Sequence, residues 1–135
     1  MAMVLSATAL AAQNQPQPSP DAPTQVQAQP PTHGVHTVSV TFNYDFARTP
    51  ACSDKVTKDC VRQFIVYDIS AGVKTRARLF TIAVPDGARG MVQGITGTSP
   101  RLDFESGKHQ LAVTAQEPSG AESRHYAATV WVVIP

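Results

Sequence analysis

The sequence predicts an all-β protein, an antiparallel β-sandwich of about seven strands over residues 35–135, and three observations predict it. Segments of alternating apolar and polar residues recur along that stretch, which is the period of a strand with one buried face. No run of ten or more residues there keeps a helical period, and β-branched residues are common where helix formers are sparse. Turn-forming sequences, Pro85-Asp86-Gly87 and Glu117-Pro118-Ser119-Gly120, stand between the segments. Two sheets are needed, because one sheet of this size has nothing against which to bury its apolar face.

Ahead of that stretch the chain has a different character. Residues 1–12, MAMVLSATALAA, are apolar, small and uncharged, and Ala9-Leu10-Ala11 has the form that a signal peptidase accepts. The basic start of a complete signal is missing, so residues 1–12 are expected to be a signal-peptide-like segment that lacks its front. The segment is too short to span a bilayer as a helix, which takes about 20 residues. Residues 13–34 are rich in Gln and Pro with Asp21 as their charge, and this composition predicts a disordered linker.

The predicted strands follow in order. Val38, Val40, Phe42 and Tyr44 alternate with Ser39, Thr41 and Asn43; Gln63–Ile69 and Arg78–Val84 are two further β runs. Met91-Val92 and Ile95, then Leu102 and Phe104, are shorter candidates broken by glycines and Pro100. His109, Leu111, Val113 and Ala115 share one face of the next strand. After the turn at 117–120, Tyr126, Ala128, Val130, Val132 and Ile134 share one face of the last. Trp131 and Val133 then fall on the opposite face, as an apolar strip that is either covered or exposed.

Gly107-x-His109-x-Leu111-x-Val113-x-Ala115 followed by Gly120-x-Glu122-Ser123 resembles the late strands of fibronectin type III domains. Val38-x-Val40-x-Phe42 resembles the second strand of that family and Phe64-x-Val66-Tyr67 the third. The resemblance spans about residues 35–135 and implies a secreted, single-domain bacterial module of fibronectin type III or immunoglobulin-like architecture. His109 stands where the family usually places a tyrosine that pins the corner before that strand. The family's early tryptophan is absent, Trp131 lying in the last strand instead. No Arg-Gly-Asp is present, so integrin binding in the manner of some members is not implied.

Cys52 and Cys60 lie in one polar segment between the second and third predicted strands. An even cysteine count in an exported chain predicts a disulfide. A zinc site would want four ligands, and a redox pair is usually Cys-x-x-Cys. Closing so short a loop stabilises by about 2.5 kcal/mol on the chain-entropy model. Loops at the end of a sandwich commonly carry binding surfaces, so Lys55, Lys58 and Arg62, held by the bridge, are the predicted binding residues.

Several functions lose support from what is missing. The net charge is +1 with no basic or acidic run, which argues against a nucleic-acid or membrane-surface partner. His33, His36, His109 and His125 are scattered, and His109 is expected to be a packed, hydrogen-bonded side chain. Local spacing suggests no Ser/His/Asp trio. The pairs Asp54/Asp59 and Asp103/Glu105 read as solvated loop charges. Gly87-x-x-Gly90 and Gly94-x-x-Gly97 lack the Lys-Ser/Thr and the helix of a phosphate loop. The expectation is therefore a monomeric, non-catalytic module, secreted or periplasmic, that needs no cofactor or metal and binds or spaces a protein or polysaccharide at the cell surface. The alternatives are a carbohydrate-binding module, which would show exposed rings among Tyr44, Phe46, Tyr67, Tyr126 and Trp131, and a small secreted enzyme or inhibitor.

Overall fold

The structure, a computed structural model, describes residues 20–29, 37–72, 75–102, 104–123 and 129–134. The signal-like segment 1–12, most of the linker, and Tyr126 and Ala128 of the predicted last strand lie outside these residues. The described chain forms seven strands: β1 (Thr24–Gln29), β2 (Ser39–Asp45), β3 (Gln63–Asp68), β4 (Ala77–Ala83), β5 (Met91–Thr98), β6 (Gly107–Gln116) and β7 (Thr129–Ile134). They make two antiparallel sheets, a three-stranded one in the order β1-β2-β5 and a four-stranded one in the order β4-β3-β6-β7. The predicted antiparallel sandwich is the observed architecture.

Alternation in β2 decides how the sheets face each other. Val38, just before the strand, then Val40, Phe42 and Tyr44 point inward and are fully buried or nearly so, while Ser39, Thr41 and Asn43 point outward. From the opposite sheet Phe64 of β3 meets Phe42 and Tyr44 edge-on, with ring centroids 4.7 and 5.2 Å apart. Phe46 packs on Tyr44 at 4.8 Å. Leu111, Val113 and Ala115 of β6, with Val132 and Ile134 of β7, complete the inter-sheet core. Such edge-to-face pairs add to the burial of apolar area that drives the sheets together.

β3 and β6 are buried on both faces over their middles, as central strands of a covered sheet. Outside the four-stranded sheet, Ile65, Tyr67, Ile69 and Ala112 form a second, smaller apolar cluster.

Two elements differ from expectation. Residues 24–29, assigned to the linker, form β1, so the sandwich begins before residue 35. An edge strand needs little apolar content when its backbone bonds are made by a neighbour. Here Val26 alone is buried among the six, and Gln27, Ala28 and Gln29 pair with Thr41, Val40 and Ser39 of β2. A bulge at Gln25, whose φ is +50°, lets the strand follow β2, and Asn43 Nδ2 donates to Gln25 Oε1 at 3.1 Å. The second difference is β5, one eight-residue strand where short broken pieces were expected. Its glycines fit the strand rather than end it. Gly94 takes a positive φ of 71° beside an irregularity in the β2 pairing, and a Cβ at Gly97 would lie 2.3 Å from Ile82 Cγ1. Leu102 and Phe104 lie in the connection that follows, outside any strand.

Candidate functional site

The antiparallel order sends the connections to two ends. The β2–β3 loop, the β4–β5 turn and the β6–β7 turn gather at one end; the β3–β4 and β5–β6 connections gather at the other.

The first end contains the predicted bridge. Cys52 and Cys60 are joined by a disulfide with Cα atoms 5.0 Å apart. Backbone bonds continue the closure beyond the sulfurs: Cys52 N–H donates to Val61 O at 3.0 Å, and Val61 N–H to Pro50 O at 2.8 Å. Cys60 and Val61 are fully buried, so the base of the loop is anchored in the core. Its tip is a local turn in which Ser53 Oγ accepts from Lys55 N–H at 3.3 Å and Val56 N–H at 3.2 Å. Lys55 and Lys58 stand exposed on that tip between Asp54 and Asp59. Arg62 lies just past the clasp, its backbone N–H bonded to Gln116 O at 2.8 Å. The structure thus brings all three predicted residues to one end. Nearby, burial and the charge of Asp59 push the Glu117 carboxyl above its ordinary value.

A concave site lies at the opposite end. A cavity of about 460 Å³ opens between β4 and the β5–β6 connection. Its apolar wall is Ala71, Ala77, Leu79, Leu102 and Phe104; its polar wall is Asp68, Ser70, Thr75, Glu105 and His109. His109 Nδ1 is 2.7 Å from Asp68 Oδ2, and Nε2 is 2.7 Å from the Glu105 backbone carbonyl. A carbonyl oxygen only accepts, so Nε2 carries a proton. Asp68 Oδ1 already accepts the Ser70 N–H at 2.9 Å and the Ser70 hydroxyl at 2.5 Å, which favours an ionised carboxylate and hence a proton on Nδ1 as well. With Asp68 ionised, this geometry favours the imidazolium form of the ring. Burial alone would lower the His109 pKa, but the Glu105 carbonyl and Asp68 outweigh it and the pKa is raised. Burial likewise opposes ionisation of Asp68, and the bonds from Ser70 and His109 outweigh it, holding its carboxyl below the ordinary value.

Ser70, Asp68 and His109 form a contiguous trio that local spacing did not suggest, wired in an order unlike that of a hydrolase. In a nucleophilic triad the histidine stands between hydroxyl and carboxylate and takes the hydroxyl proton. Here the carboxylate stands in the middle. The Ser70 hydroxyl points at Asp68 and accepts from Gln110 N–H at 2.9 Å, and neither imidazole nitrogen has a free lone pair. The arrangement ties β3, β6 and the β5–β6 connection together; Phe104 closes it edge-on to the His109 ring at 5.4 Å. His109 is the packed, hydrogen-bonded side chain expected. Asp68, Ser70 and the structural role of the Glu105 backbone were missed. One signal was available: Asp68 and His109 each occupy an inward position of their strand, in line with Val66 and Leu111, and a polar group there requires a partner.

A third feature is the outer face of the four-stranded sheet. Glu122 folds over it, accepting from Tyr67 Oη at 2.8 Å and Thr114 Oγ1 at 2.7 Å; Arg76 lies 3.4 Å from Glu122 and 4.0 Å over the Tyr67 ring. Burial, then the bond to Glu122, pushes the Tyr67 phenol up to about 12. Beyond that covered area, Trp131 and Val133 of β7 are 54% and 60% exposed. The Lys108 ammonium sits 5.2 Å from the centre of the Trp131 ring. β7 is an edge strand: among the described residues no strand pairs with its outer side. Of the rings that could have made a sugar platform, Tyr44, Phe46 and Tyr67 are buried, Trp131 is exposed, and Tyr126 lies outside the described residues.

No family model, curated protein or solved structure matches the chain. Among the described residues no group of three or more His, Cys, Asp or Glu side chains is placed to hold a metal ion, and no helix is long and apolar enough to cross a membrane.

Proposed function

We propose that the chain is a non-catalytic, secreted or periplasmic module of fibronectin type III-like architecture that binds a protein partner through the open edge of β7. The observation that carries this reading is β7 itself. Thr129–Ile134, TVWVVI, contains no charge and no proline, although soluble proteins usually protect an edge strand with one or the other. An extended segment that paired with the side of β7 away from β6 would meet the exposed Trp131 and Val133 side chains, the chemistry of strand addition, with β1 of the facing sheet as its neighbour.

The fibronectin-like part rests on the resembling residues. Val38–Phe42 runs into the second strand, Phe64–Tyr67 lies in the third, and His109 ties its strand to the preceding corner where the family uses a tyrosine. Export is supported by the disulfide, because such bridges persist in oxidising compartments. A non-catalytic role is supported by the trio at the cavity, in which the serine has no base. A protein partner is favoured over a sugar because one ring, not a row of rings, is exposed among the described residues.

The test is photo-crosslinking in cells that export the chain, with a benzophenone side chain in place of Val133 or, separately, Val56. A discrete adduct from position 133 and none from position 56 supports the reading. An adduct from position 56 alone, or from neither, removes it.

A further inference from the structure

The cavity at the end away from the disulfide has a chemical bias in what it can recognise. Its floor and one wall are aliphatic or aromatic, from Ala71, Ala77, Leu79, Leu102 and Phe104. Among the described residues, every side-chain hydrogen on its polar wall is already committed. The Ser70 hydroxyl is donated to Asp68, the Thr75 hydroxyl to Ala71 O at 2.7 Å, and the two N–H groups of His109 to Asp68 and Glu105. What these side chains still offer a ligand is acceptors. The Glu105 carboxylate is one of them. It lies on the exposed rim, and no hydrogen bond or ion pair is formed by it among the described residues, although its charge acts on the His109 ring. Among the described residues, two carboxylates, Asp68 and Glu105, against one imidazolium leave the wall one negative charge in excess. A carboxylate or phosphate ligand would meet acceptors and a net negative wall; an ammonium or guanidinium would find hydrogen-bond partners and the opposite charge. The volume is that of a small-molecule or side-chain site, within the roughly 300–1,000 Å³ common for such pockets.

We propose that this cavity is a second binding site, separate from the β7 edge, and that it takes an apolar group carrying a cationic nitrogen donor, such as an alkylammonium. The alkyl part fills the space against Leu79, Leu102 and Phe104, and the nitrogen reaches the Glu105 carboxylate.

Hexylammonium, hexanoate and hexanol are the probes, titrated into the full chain while backbone amide shifts are followed by NMR. Hexylammonium is expected to give saturable shifts at Thr75, Ala77, Leu102, Phe104 and Glu105, with an affinity about tenfold above that of hexanoate, the difference expected from one partly exposed charge contact made attractive or repulsive. Glu105→Gln, on the exposed rim, should weaken hexylammonium about threefold and leave hexanol unchanged. Ala71→Trp, in an exposed turn on the cavity wall, should abolish all three sets of shifts. Equal binding of hexylammonium and hexanoate, an unchanged Glu105→Gln, or shifts that do not saturate at the cavity would overturn the proposal. None of these results bears on crosslinking at β7, so the two readings fail separately.

Discussion

The two ends of the sandwich are closed by different means. At the disulfide end a covalent bond and two backbone bonds shut a loop whose exposed charges, Asp54, Lys55, Lys58 and Asp59, cancel in number. At the cavity end no covalent link is present among the described residues, and an imidazolium between a carboxylate and a carbonyl holds the connection to the sheet. The first device acts mainly by limiting the unfolded chain, and within the folded range it is indifferent to pH. The second acts in the folded state and works while Asp68 is ionised and His109 is protonated. Both ends carry loops on a frame of strands, and the end with the His109 cavity is the one held by titratable groups.

The largest expected effect comes from opening the covalent end. Cys52→Ser with Cys60→Ser should cost about 2.5 kcal/mol, a fall in Tm of roughly 10 °C or more for a domain of this size. Thermal unfolding followed by circular dichroism checks it. The cavity end should be untouched in that variant: amide exchange at Gln110, whose N–H is held by Ser70, should keep its protection relative to global unfolding. A variant that loses Gln110 protection selectively would show the two ends to be coupled.

Legibility in the sequence follows the same division. The bridge was readable because its two partners lie eight residues apart in one segment, and the identity of the residues names the bond. The sandwich was readable because alternation is local: Val40, Phe42 and Tyr44 declare a buried face wherever the strand ends up. The cavity was not readable, because Asp68, Ser70, Glu105 and His109 come together only once β3 pairs with β6 and the β5–β6 connection folds back. β1 was hidden for another reason. Its stability comes from backbone pairing with β2, which leaves almost no mark on residue type, and Pro23 and Pro30 on either side of Thr24–Gln29 read as linker.

The second effect is a pH dependence at the cavity end. His109 has a raised pKa, so its contribution is complete below its ordinary value of 6.5 and is lost as pH rises through the folded value. Asp68 has a lowered pKa, so its contribution is complete above its ordinary value of 3.8 and is lost as pH falls through the folded value. The pair therefore stabilises most between those two ordinary values, and stability should fall on either side. His109→Leu should cost about 2 kcal/mol at pH 5.5, the range for a hydrogen bond to a charged partner. It should also remove the loss of stability on the alkaline side. Urea unfolding at a series of pH values checks both. A variant as pH-sensitive as the parent chain between pH 6 and pH 9 would show that another group titrates there.

The smallest expected effect is at Lys55 and Lys58, and it decides what the disulfide is for. The two ammonium groups stand exposed, and the turn beneath them is held by Ser53 and by backbone. Lys55→Glu with Lys58→Glu changes the local charge by four units while leaving every bond of the clasp in place. Exposed charges contribute about 0–1 kcal/mol, and the new carboxylates beside Asp54 and Asp59 add a repulsion that salt screens, so Tm should move by less than about 8 °C, and less still at high ionic strength. If the clasp is a stability device and β7 the binding edge, crosslinking from position 133 should proceed unchanged in this variant. If the clasp presents a binding surface, the charge reversal should abolish that adduct although the fold is intact. Arg62 separates the cases further, since it lies outside the ring closed by the sulfurs, next to the β6–β7 turn. An Arg62→Glu effect without a Lys55/Lys58 effect would move the binding surface from the loop to that turn.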